Sequence, residues 1–201
     1  MVKLYRTLQS RNSRKTMDKI LQYTTVDTPI GTLYAAFSAD VLCWVSAELE
    51  ADFLQRIEAE FSQKPLRDDG ALVRFSREIT NIFTENTRYT APLSLAMLTP
   101  FQQAVLTQTA EIPRGQVRSY GWIAKALNHP NASRAVGTAL AKNPLPFVIP
   151  CHRVIRADGR LGAYSGGGTP MKARLLAFEG VTVAQNHNHY SVPKPFEPLE
   201  Q

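Results

Sequence analysis

The chain has 201 residues, 44% hydrophobic and 20% charged, with a net charge of +6 and two cysteines. That length accommodates one large domain or two small ones with real cores. The apolar runs are too short to span a bilayer, the basic N-terminus lacks the apolar segment of a secretion signal, and two cysteines argue against a disulfide framework and for a reducing, cytoplasmic setting.

In chain order, residues 1–18 are expected to form a flexible basic arm. From Leu21 to Val45 the chain is rich in Thr, Val, Tyr and Leu and is broken by Thr28-Pro29-Ile30-Gly31. That composition predicts a small antiparallel sheet with hairpin turns. Leu54, Ile57 and Phe61 within Ala51–Gln63 recur at helical spacing, as do Leu72, Phe75, Ile79 and Phe83 within Leu72–Phe83. A proline-punctuated link follows around Asn86–Pro92, so residues 19–92 read as an α+β domain.

Thr99 and Pro100 open a helix through Phe101, Val105 and Leu106, ended by Pro113-Arg114-Gly115. Ser119 is placed to cap a short helix with Trp122, Ile123 and Leu127 apolar. Asn128–Ala132 make a turn, and Ser133 starts another helix through Ala135, Val136 and Leu140, stopped by Pro144 and Pro146. Two short helices about a polar turn suit a helix-turn-helix. Phe147-Val148-Ile149 is expected to be a short buried extended run. Asp158-Gly159 marks a tight turn and Tyr164–Gly168 a mobile loop. Thr169-Pro170 are expected to cap a last helix with Leu175, Leu176 and Phe178 inward and Gly180 as its stop. Residues 97–185 thus form a mainly helical domain, and 186–201 a polar, poorly ordered tail. The fold class is α+β: a small antiparallel-sheet-plus-helix domain followed by a mainly helical one.

Charge is segregated along the chain. Residues 17–96 carry 7 Lys/Arg against 12 Asp/Glu, whereas residues 97–185 carry 10 against 3. A cationic second half fits either a solvated surface or the footprint of a polyanion.

The chemistry concentrates in Ile149-Pro150-Cys151-His152-Arg153-Val154. A thiol reacts as its thiolate, and a neighbouring base or cation raises the thiolate fraction. Cys43 lies in the apolar run Val41–Val45 without cationic company and reads as core. With Ser119-Tyr120, Ser133-Arg134-Ala135-Val136-Gly137, Asn143-Pro144-Leu145-Pro146, Tyr164-Ser165-Gly166-Gly167 and Glu179-Gly180, this motif resembles the O6-alkylguanine-DNA alkyltransferases, single-use DNA-repair proteins. The resemblance covers residues 97–181 by motif order; residues 19–92 match only in size and composition.

The resemblance implies that Cys151 takes an alkyl group, methyl first, from guanine O6 in double-stranded DNA and keeps it. It implies a Cys151–water–His152–Glu179 network supported by Asn143. Arg134 would enter the base stack as the target nucleotide is flipped out, with Ser133 and Ala135 beside it on DNA. Tyr120 would press the target phosphate aside and protonate the departing guanine. Tyr164, Ser165, Val154 and Pro146 would line the base pocket. The third glycine of Gly166-Gly167-Gly168 makes the loop one residue longer than the expected spacing, which bears on the register of Glu179. Cys43 is the only cysteine before Cys151, and His129 is the first histidine. A tetrahedral site cannot be built from these, and His187 and His189 lie in the tail, so no metal and no cofactor are expected. The partner is alkylated duplex DNA, with no membrane and a monomeric protein. Two rivals are a non-reacting lesion-binding module and a Cys-His acyl hydrolase.

Overall fold

In the computed structural model, residues 20–186 and 189–196 are described. The expected arm at residues 1–18, His187 and the last five residues lie outside them. The chain divides into two compact units between Leu98 and Thr99.

In the first unit, β1 (Leu21–Thr28), β2 (Gly31–Ser38) and β3 (Val41–Ser46) form an antiparallel meander. Alternation along β1 buries Tyr23 while Gln22 stays half-exposed, as a sheet covered on one face requires. α1 (Glu50–Phe61) follows, then a two-residue strand, β4 (Leu66–Arg67), that pairs parallel to β1. The sequence gives β4 no alternating pattern, so only pairing reveals it. α1 buries Phe53 and Ile57, so its apolar face is rotated from the expected Leu54–Ile57–Phe61 stripe. Tyr23 and Tyr34 each bring their rings within 5.6 Å of Phe53 in this core. α2 (Val73–Thr84) buries Phe75, Ile79 and Phe83, as the spacing predicts. Cys43 sits in β3, buried, with its sulfur 3.2 Å from the Ala36 carbonyl; burial pushes its thiol up to about 12.

The second unit opens with α3 (Pro100–Ala110). Thr99 caps it in a full capping box with Gln102, and Pro100 fills the first turn. β5 (Arg118–Ser119) leads directly into α4 (Tyr120–Ala126), and α5 (Ser133–Ala141) follows the turn after it. A single 3-10 turn, Cys151–Arg153, leads into β6 (Val154–Ile155), which lies parallel to β5. α6 (Gly168–Phe178) closes the unit.

Four expectations need correction. Phe147-Val148-Ile149 is not extended. Phe147 takes φ of 74°, and the Ile149 N–H turns back to donate to the Leu145 carbonyl at 2.8 Å. α6 starts at Gly168 with left-handed Gly167 before it, and Thr169 lies inside the helix, its hydroxyl donating to the Gly162 carbonyl. Phe178 is 38% exposed rather than inward, and Arg114 covers its ring at 4.9 Å. Part of the tail is folded: β7 (Ala184–Asn186) and β8 (His189–Ser191) form a hairpin. The Leu161 N–H donates to the Tyr190 carbonyl and the Val192 N–H to the Gly159 carbonyl. Val192 joins a core with Val117, Ile155, Leu161 and Leu176, so burial of apolar side chains offsets the cost of ordering that segment.

Candidate active site

Cys151 is positioned by backbone geometry first. Pro150 precedes the 3-10 turn, the Cys151 N–H donates to the Ile149 carbonyl at 2.8 Å, and the Arg153 N–H donates to the Pro150 carbonyl. The side chain is 4% exposed. Asn143 reaches under it from the end of α5. Its Nδ2 donates to the Ile149 carbonyl at 3.0 Å and to Sγ of Cys151 at 3.2 Å, while its Oδ1 accepts from the Leu145 N–H. Both ends of the amide are thereby committed, and its orientation is fixed. Burial pushes the thiol up; the Asn143 hydrogen bond and the Lys172 charge pull it back down.

His152 is buried and its Nε2 lies 3.0 Å from Oε1 of Glu179. Arg153 grips the same carboxylate through Nε at 2.8 Å and a terminal nitrogen at 2.7 Å, and also donates to the Ile112 carbonyl. Burial would raise the Glu179 carboxyl, but the hydrogen bonds from His152 and Arg153 outweigh it and hold the group down at about 2. A carboxylate that stays ionised only accepts hydrogen bonds, so Nε2 of His152 carries the proton. Burial, with the Arg153 and Lys172 charges, lowers the imidazole against the pull of Glu179, which favours the neutral ring. Its Nδ1 then bears a bare lone pair, and that atom is buried with no partner among the described residues. A neutral imidazole with one nitrogen anchored to a carboxylate and the other without a partner among the described residues has the geometry a general base requires.

Local sequence explains how Glu179 arrives there. It is the C-cap of α6, followed by left-handed Gly180. The Val181 N–H donates to the Leu176 carbonyl and the Gly180 N–H to the Ala177 carbonyl, the paired bonds of a Schellman stop. Gly167 and Gly168 take positive φ where α6 begins, and Glu179 at its other end reaches His152.

Tyr120 opens α4, whose cap is the Ser119 hydroxyl accepting from the Trp122 N–H at 3.0 Å. The parallel pairing of Ser119 with Ile155 and Arg118 with Val154 sets Tyr120 beside the Cys151 turn. Burial, then the nearby Cys151, push its phenol up, and Arg156 pulls it down. Tyr164 is buried, its ring edge-on to His152 at 6.4 Å and its hydroxyl without a partner among the described residues. Val154 and Pro146 are buried and Ser165 is exposed. Arg134 and Ala135 are exposed at the start of α5, with Ser133 half-buried. Cys151, His152, Glu179, Asn143, Tyr120 and Tyr164 therefore converge, whereas Arg134 and Ala135 form part of the surface of α5.

Two participants escaped sequence reading. Arg153 neutralises Glu179, and only the cationic residue directly after Cys-His hinted at it. Lys172 is buried inside α6 with Nζ donating to the Val154 carbonyl at 2.6 Å and the Leu161 carbonyl at 2.7 Å. A lysine inside a helix carries no sequence signal of burial. No cluster of three or more His, Cys, Asp or Glu that could hold a metal occurs among the described residues, and no helix there is long and apolar enough to cross a membrane.

Residues 100–181 match the family model described as 6-O-methylguanine DNA methyltransferase, DNA binding domain. A constitutive methylated-DNA–protein-cysteine methyltransferase of Bacillus subtilis is 37% identical over 164 residues, 80% of this chain and 96% of that protein. A methylated-DNA–protein-cysteine methyltransferase of Mycolicibacterium paratuberculosis is 36% identical over 160 residues, 93% of its length. Among solved structures, a Mycobacterium tuberculosis protein called OGT, in complex with DNA, superposes with a TM-score of 0.64 at 34% identity, over 79% of this chain and 92% of that one.

Proposed function

This chain belongs to the methylated-DNA–protein-cysteine methyltransferase family and repairs alkylated DNA by moving the alkyl group to a cysteine of its own, and we propose that Cys151 is that acceptor. The observation that carries the assignment is the sulfur held by Asn143 beside a histidine whose second ring nitrogen is free to take a proton.

The reaction balances with these side chains. The thiol proton passes to Nδ1 of His152, directly or through water, and Glu179 stabilises the resulting imidazolium. The sulfur anion attacks the methyl carbon of O6-methylguanine. The new S–C bond forms as the C–O6 bond breaks, and the electron pair leaves with the guanine. Tyr120 protonates the purine, since an anion in a buried pocket is costly, and regains a proton from His152. The products are guanine in DNA and a neutral thioether. Nothing in this scheme removes the methyl, so each molecule acts once.

Reaching a base inside a duplex requires the nucleotide to be extruded, which costs a few kcal/mol, roughly, and less for a poorly pairing lesion. α4, the turn after it and α5 act as a helix-turn-helix against DNA, with Arg134 filling the gap in the stack and Ser133 and Ala135 alongside. Tyr164, Ser165, Val154 and Pro146 line the pocket for the flipped base. Cationic side chains of residues 97–185 hold phosphates without reading sequence. The protein works as a monomer wherever DNA is kept.

The test is intact mass after incubation with duplex DNA containing O6-methylguanine. Wild-type protein gains one methyl on the peptide containing Cys151, and Cys151→Ala gains none. Loss of the lesion without a mass change at that peptide refutes the assignment.

A further inference from the structure

We propose that Lys172 is a positioning residue for the transfer, its buried ammonium being the fixed counter-charge against which the Cys151 sulfur ionises. The inference rests on Cys151 being the acceptor.

Lys172 is 1% exposed. Lysines are almost never fully buried unless paired, yet both acceptors of its ammonium are neutral backbone carbonyls, those of Val154 and Leu161. Those two bonds tie the strand leaving Cys151 to the loop before Tyr164. Tethering alone needs two N–H donors, which a neutral amide supplies; a full charge at this depth needs another reason. Its Nζ also stands 5.8 Å from the centre of the Tyr120 ring.

The groups facing Lys172 and Cys151 narrow the candidates for an anion. From α4 comes Tyr120 and from the loop before α6 comes Tyr164, both phenols pushed up by burial and so neutral. Arg156 acts on Tyr120 and is itself cationic. From the Cys151 turn come His152 and Arg153, both bound to Glu179. The Glu179 charge is thereby taken up. Among these groups of the described residues, Cys151 is the one left to become negative within reach of the Lys172 charge. Burial lowers the ammonium to about 8, with the sulfur pulling it up, so Lys172 keeps its proton at neutral pH; burial raises the thiol, and the ammonium pulls it down. When His152 takes the thiol proton, the new negative charge appears facing a cation already in place and needing no reorganisation.

Three readouts test this. Iodoacetamide modification of Cys151 against pH, without DNA, reports thiol ionisation. Single-turnover transfer from O6-methylguanine duplex reports the reaction. The 13Cε resonance of Lys172 in wild-type protein reports coupling without any variant of the lysine. Lys172→Gln keeps two N–H donors and removes the charge; Lys172→Met removes both. Both variants are expected to titrate the thiol about one unit higher, leaving about tenfold less thiolate at a given pH, and to transfer methyl correspondingly more slowly while binding lesion DNA as tightly as wild type. The Lys172 resonance is expected to move with Cys151 ionisation and to lose that step in Cys151→Ala. A Lys172→Gln protein with the wild-type titration and rate, or a resonance indifferent to Cys151, overturns the proposal. Wild-type protein that reacts with iodoacetamide at Cys151 but takes no methyl refutes the acceptor assignment instead.

Discussion

Asn143 is the side chain on which the sulfur's position turns. It donates to both Sγ of Cys151 and the Ile149 carbonyl and accepts from the Leu145 N–H, all buried. Asn143→Ala orphans the buried Leu145 N–H, at about 1–3 kcal/mol, while the Ile149 carbonyl keeps its bond from the Cys151 N–H. The expected result is a lower urea midpoint together with a slower single-turnover rate, because the thiol also loses a bond that favours its ionised form. A normal rate in a destabilised protein would leave Asn143 with a purely structural role. Gly166 makes a sterically sharper case. A Cβ there would lie 2.8 Å from the Tyr164 ring and hydroxyl, a contact real side chains do not make. Gly166→Ala is expected to push Tyr164 from its seat beside His152 and slow methyl transfer about tenfold or more, with little change in melting temperature because Gly166 takes no left-handed φ. Residue identity singled out Cys151-His152, and the family resemblance pointed to Glu179, whose carboxylate meets the imidazole. Lys172 was invisible because its importance lies in burial alone, and burial of one lysine leaves no periodic trace.

The C-terminal end of α6 shows how an element places a charge. The stop built on Gly180 ends the helix and leaves Glu179 at its C-cap, where the carboxylate faces the unfavourable end of the helix dipole. The bidentate Arg153 and the His152 bond compensate and hold the carboxyl down at about 2 from an ordinary 4.5. A carboxyl lowered by folding stabilises the native state above its unfolded pKa, and that contribution disappears as pH falls through the folded value. It amounts to about 3 kcal/mol, taking roughly 1.4 kcal/mol per unit. His152, lowered by burial, acts in the same direction, because the unfolded chain binds its proton first as pH drops. Urea midpoints are therefore expected to decline steeply between pH 4.5 and 2, and Glu179→Gln to flatten that decline. A parallel decline in the variant would place the sensitivity elsewhere. Helices such as α2, α3 and α5 were legible because caps and a 3.6-residue period are local signals. β4, the turn at Phe147 and the β7–β8 hairpin were not: each is held by partners distant in sequence or by a backbone φ that composition does not encode.

Across the molecule, charge is sorted along the chain. Residues 17–96 carry 7 Lys/Arg against 12 Asp/Glu, and residues 97–185 carry 10 against 3. Several of those cations are already committed to structure. Arg153 is bound to Glu179, Lys172 to carbonyls, and Arg156 and Arg160 to Asp158. Arg134 is different: it is exposed at the first turn of α5, on an element whose buried side is made by Val136, Ala139 and Leu140. Two physical roles for it predict different salt behaviour. A cation that merely neutralises a phosphate releases a counterion, so its removal weakens binding to every sequence and reduces the slope of log affinity against log salt by about 1. A side chain that fills the gap left by an extruded base stabilises only the flipped complex. Arg134→Ala is therefore expected to lower the rate of methyl transfer from duplex DNA at least tenfold, while its transfer from a single-stranded oligonucleotide, where no stack needs filling, changes far less. The affinity for undamaged duplex should keep nearly the wild-type salt slope. Equal losses on both substrates, with a slope reduced by a full unit, would assign Arg134 to phosphate neutralisation and leave the stack to be held open by another group.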